Sequence, residues 1–64
     1  MTSYRFYVLN RYDEIINVHI AECEDADEVQ RTARSFLTEH QVAAVIEAWE
    51  RDKLVCRIKR PAAA

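Results

Sequence analysis

Few side chains in this 64-residue sequence have the chemistry for a reactive site: His19 and His40, Cys23 and Cys56, an acidic stretch from Glu22 to Glu28 and a basic one from Arg51 to Arg60. An imidazole serves as general base or metal ligand, and a thiol serves as nucleophile once it ionises. Cys23 stands beside Glu24 and Asp25, whose negative charge opposes a thiolate, and Cys56 alternates with Leu54 and Ile58 as a core residue does. The two thiols lie 56 − 23 = 33 positions apart, with neither a CxxC pair nor a zinc-ribbon spacing, and are expected to be free. Asp25 and Glu28 have the spacing of a helix capping box, which accounts for a paired acid without catalysis. His40 is expected at a helix end as a cap, and His19 on a strand surface beside Asn17. The chain contains no glycine, which excludes a glycine-rich phosphate loop or a dinucleotide fingerprint. The sequence therefore predicts no catalytic residue, no cofactor and no metal centre.

The elements that must position these residues follow from periodicity. Tyr4 to Leu9 alternates with Tyr4, Phe6 and Val8 on one face, and Ile15 to Ala21 alternates again after the turn-prone Asn10-Arg11-Tyr12-Asp13-Glu14. A hairpin with Leu9 opposite Ile15 sets Val8 against Ile16, Phe6 against Val18 and Tyr4 against Ile20, which collects the apolar side chains on one face. A helix is predicted from Ala26 to Glu39, capped by Asp25, with Ala26, Val29, Ala33, Phe36, Leu37 and His40 along one stripe. Val42 to Trp49 reads as a third strand, Glu50-Arg51-Asp52 as a loop and Leu54 to Arg60 as a fourth strand. Pairing Ala48 with Leu54 puts Ile46 opposite Cys56 and Ala44 opposite Ile58. The turns are expected to use Asn, Asp or ordinary type I geometry. Asp13-Glu14-Ile15-Ile16 and Asp52-Lys53-Leu54-Val55 echo one another, which shared hairpin turn chemistry explains. The order is β-β-α-β-β, an α+β fold whose four-stranded, largely antiparallel sheet carries one helix on one face. Residues 1–60 form a single domain, and 61–64 a frayed tail after Pro61.

One helix covers one face of such a sheet. The reverse face is expected to carry Tyr7, Leu9, Ile15, Val45, Trp49 and Val55 among Arg5, Asn17, His19, Glu47, Arg57 and Lys59. An apolar patch rimmed by charge reads as an interface, with Tyr7, Leu9, Val45, Trp49 and Val55 as its candidate residues and Trp49 as its anchor. Association through this face or through a strand edge, as a homodimer, makes the chain an interaction or regulatory module. The alternative is a nucleic-acid-binding module in which Arg51, Lys53, Arg57, Lys59 and Arg60 contact phosphate. Against it stand the net charge of 9 − 11 = −2 and a pI near 5.6.

Half of the residues are apolar and 31% are charged, globular values that argue against disorder. At this length a single core is marginal, and a partner subunit is a common remedy. No apolar run reaches a membrane span and no secretory leader pattern is seen at the N-terminus, so a cytoplasmic location is expected. The aromatic strand Tyr4-Arg5-Phe6-Tyr7-Val8-Leu9, the acidic stretch leading into the helix and the closing hairpin at Trp49 resemble the short uncharacterised proteins common in rhizobia and other alphaproteobacteria. That resemblance covers nearly the whole chain and implies no particular activity.

Overall fold

The computed structural model describes residues 2–60; the expected tail after Arg60 lies outside them. The elements are β1 (Thr2–Leu9), β2 (Ile15–Cys23), α1 (Ala26–Glu39), β3 (Val45–Glu50) and β4 (Lys53–Lys59). They form an α+β fold in which a four-stranded antiparallel sheet, ordered β2-β1-β3-β4, carries α1 on one face. The helix carries the chain from edge strand β2 past β1 to β3, so the two hairpins meet through their first strands. Beneath α1, Phe6, Val8, Cys23, Val29, Ala33, Ile46 and Ala48 are fully buried, and Phe36 meets Phe6 edge-on with ring centres 5.3 Å apart.

Local chemistry explains the helix boundaries. The Asp25 carboxylate accepts the Glu28 N–H at 2.8 Å, satisfying one of the orphan donors of the first turn. Glu28 reaches back one residue further than a capping box requires, to accept from the Glu24 N–H at 2.6 Å. At the other end the His40 N–H donates to the Phe36 carbonyl at 2.9 Å, and the last turn contains no basic residue.

Loop chemistry explains the first hairpin. Asn10 Oδ1 accepts from the N–H groups of Tyr12 and Glu14, and the Asp13 N–H donates to the Asn10 carbonyl. Asp13 then takes a φ of 63°, the left-handed position that closes a three-residue hairpin loop. In the second hairpin the left-handed residue is Arg51, with a φ of 57°, where the sequence predicts Asn, Asp or ordinary type I geometry.

Both hairpins contain a bulge that the alternation pattern hides. Leu9 pairs with Ile15 as expected, but Val8 pairs with Asn17, so Ile16 is an extra residue. From there every β2 side chain is turned over: Phe6 faces His19 and Tyr4 faces Ala21. In the second hairpin Trp49 pairs with Leu54 but Ala48 pairs with Cys56 and Ile46 with Ile58, leaving Val55 as the extra residue. The two bulges occupy corresponding places in the sequence echo, at Ile16 and Val55.

Candidate functional site

The outer face of the sheet, away from α1, is set by these registers. Its side chains stand in rows across the strands in the order β2, β1, β3, β4. Ile15, Leu9, Val45 and Lys59 form one row; Val18, Tyr7, Glu47 and Arg57 the next; Ile20, Arg5, Trp49 and Leu54 the third. From Ile15 to Ile20 the β2 column is apolar and lies open to solvent, with Ile15 58%, Val18 44% and Ile20 70% exposed, and Glu22 ends it. Toward β4 the face becomes ionic. Glu47 accepts from Trp49 Nε1 at 3.2 Å through one carboxylate oxygen and pairs with Arg57 Nε at 3.1 Å through the other.

The five candidate interface residues are placed unequally. Tyr7 and Trp49 line a shallow depression with Ile15, Glu47, Arg51 and Asp52 on the outer face. Leu9 and Val45 also belong to that face but are already buried, being the two middle members of a row flanked by Ile15 and Lys59. Val55 is displaced from the expected pattern by its bulge, and Leu54 stands beside Trp49 instead. Val18 and Ile20, assigned to the core by alternation, are on the outer face; Asn17 and His19, assigned to the outer face, are on the helix side. The adjacent apolar pairs Ile15-Ile16 and Leu54-Val55, each breaking strict alternation beside a turn, are the sequence signal that marked the bulges.

The basic residues of the last hairpin do not form one strip. Arg57 is paired to Glu47, while Arg60 turns under the helix terminus. Arg60 Nε donates to the Ala43 carbonyl at 2.8 Å, and its Nη2 donates to the carbonyls of His40, at 2.9 Å, and Leu37. It thereby supplies the cation that the last turn of α1 lacks. Lys53 and Lys59 are separated by six strand positions, about 20 Å.

On the helix side, His19 lies parallel to Phe36, with ring centres 4.3 Å apart and planes within 6°. Its Nε2 is 2.8 Å from Nε2 of His40, which joins the edge strand to the end of the helix. His40 thus caps the helix with its backbone while its ring meets the sheet; sequence spacing alone, 21 residues between the two, did not reveal the contact. Cys23 and Cys56 are free and lie on opposite edge strands with β1 and β3 between them, beyond disulfide reach. Burial pushes the Cys56 thiol up from its ordinary range, and the Arg34 guanidinium partly offsets that rise. Among the described residues no three His, Cys, Asp or Glu side chains are gathered as a metal-binding group, and no helix is long and apolar enough to cross a membrane. No family model, curated protein or solved structure matches the chain.

Proposed function

We propose that this chain is a non-catalytic interaction module of the cytoplasm that forms a homodimer, with the edge strand β2 and its apolar outer column at the seam. The carrying observation is the column Ile15, Val18 and Ile20, uncovered along the first six residues of an edge strand. From Ile15 to Ala21 that strand has no charge and no proline, the devices that blunt an exposed edge. The opposite edge carries Lys53, Arg57 and Lys59 together with the Val55 bulge, so pairing β4 with its own copy sets like charges together. Pairing β2 with β2 of a second copy sets apolar residues against apolar residues and joins unpaired N–H and C=O groups across a two-fold axis. Tyr7 and Trp49 extend the contact onto the outer face, and the charged groups beyond them form its rim. The free thiols of Cys23 and Cys56 accord with a reducing compartment.

Light scattering over a concentration series, at low and high salt, tests the reading. The expected result is a dimer mass that survives salt, and an Ile20→Lys variant that folds but weakens dimerisation at least tenfold. A wild-type monomer at all concentrations overturns it. Salt-sensitive retention on heparin, lost when Arg51 and Lys53 are replaced, favours phosphate binding instead.

A further inference from the structure

We propose that His19 and His40 form a two-imidazole site for a divalent transition-metal ion, with zinc the best fit and solvent completing its coordination. The two Nε2 atoms face each other at 2.8 Å across the gap between β2 and the end of α1. Imidazole nitrogen is a preferred donor for zinc, nickel and copper, and it binds metal in its neutral form.

The ring placement matches the ion. With Zn–N bonds of about 2.0–2.1 Å and a tetrahedral angle, two imidazole ring centres stand about 5.2 Å apart and their ligating nitrogens about 3.3 Å apart. The ring centres of His19 and His40 are 5.1 Å apart and their Nε2 atoms 2.8 Å apart, so the two rings aim straight at each other and each must turn by about 35° to share an ion. Only a tilt that turns the nitrogens from each other toward a shared point is needed.

Packed neighbours support both histidines. The His40 main chain is held by its N–H to Phe36 and by its carbonyl, which accepts from the Ala43 N–H at 3.0 Å and from Arg60. The His19 ring rests on the phenyl of Phe36, itself packed on Phe6. Fixed second-row contacts of this kind lower the conformational entropy lost on binding. A bound ion would cross-link the edge strand to the helix terminus, two parts separated by 21 positions in the chain. The site is complete within one chain and does not depend on dimerisation.

The test uses reduced protein in a Cys56→Ser background, titrated with zinc chloride at pH 7.5 in a non-coordinating buffer. Imidazole nitrogen resonances and thermal unfolding are followed together. Expected are saturation at one equivalent per chain, joint displacement of the Nε2 signals of His19 and His40, and a Tm that climbs with zinc concentration. Affinity should fall at least tenfold at pH 5.5, because the ion displaces protons from its ligands. Loss of the Tm response in both His19→Gln and His40→Gln, each still folded by amide spectra, supports the site. Unmoved Nε2 signals in the wild-type chain overturn it and leave a hydrogen bond between two rings only. Binding that persists in both variants also overturns it, as does displacement of one histidine without the other. Should either variant fail to fold, the wild-type ring signals decide.

Discussion

At the scale of single residues, two positions depart from ordinary chemistry. Arg51 holds a φ of 57°, a region that costs an L-residue with a long side chain roughly 1 kcal/mol and that asparagine tolerates better. Arg51→Asn should therefore raise unfolding stability by about 0.5–1 kcal/mol, read as an increase in urea midpoint with unchanged slope. Cys56 departs in its ionisation, since burial raises its pKa above that of the unfolded chain. The folded state then holds its proton where the unfolded state has begun to lose it. Its contribution to stability is complete below the ordinary thiol pKa and is lost as pH rises through that value toward the raised one. Cys56 should accordingly react with iodoacetamide more slowly than a free cysteine at pH 8, and its removal as Cys56→Ala should flatten the alkaline fall in stability. A profile unchanged by that substitution would assign the fall to other groups.

At the scale of elements, the helix is completed by a side chain from elsewhere in the sheet. The last turn of α1 contains no cation, and Arg60, one residue past β4, places its guanidinium on the carbonyls of Leu37, His40 and Ala43. Hydrogen bonds from a charged donor to carbonyls at a helix end are worth more than neutral ones. Arg60→Ala should cost about 1.5–3 kcal/mol in urea unfolding, and Arg60→Lys a part of that, because lysine keeps the charge without the fork. The same contact removes Arg60 from the surface available to phosphate. The bulges at Ile16 and Val55 act at this scale as well, since each turns over the remainder of its strand relative to its partner.

At the scale of the whole molecule, α1 and the sheet make one core, and none of the described residues forms a layer over the reverse face. With so few residues to bury, a partner that covers Ile15, Val18 and Ile20 adds apolar burial that the monomer lacks. The thermal midpoint should therefore increase with protein concentration, as it does whenever association is linked to folding. Ile20→Lys should abolish that concentration dependence while leaving the dilute-solution midpoint within a few degrees, because Ile20 is 70% exposed in the single chain. Trp49→Ala tests the extent of the seam: an unchanged dimer restricts it to β2 and makes the Tyr7 and Trp49 depression an ordinary solvated surface.

The chain's own pattern determined the order of elements, the helix boundaries and the core members Phe6, Val8, Val29, Ala33, Leu37 and Ile46. These follow from periodicity and from caps that act over three or four residues, as Asp25 does on Glu28. Tertiary structure decided which face of β2 is buried, because one extra residue at Ile16 reverses every later side chain and alternation is blind to a bulge. It also decided the strand order, with β1 and β3 at the centre, and through that order the exposure of an edge without charge from Ile15 to Ala21. The His19 and His40 pairing and the Arg60 cap belong with these. Each joins residues 20 or so positions apart, a separation at which sequence spacing has no bearing on contact until the sheet and helix are packed.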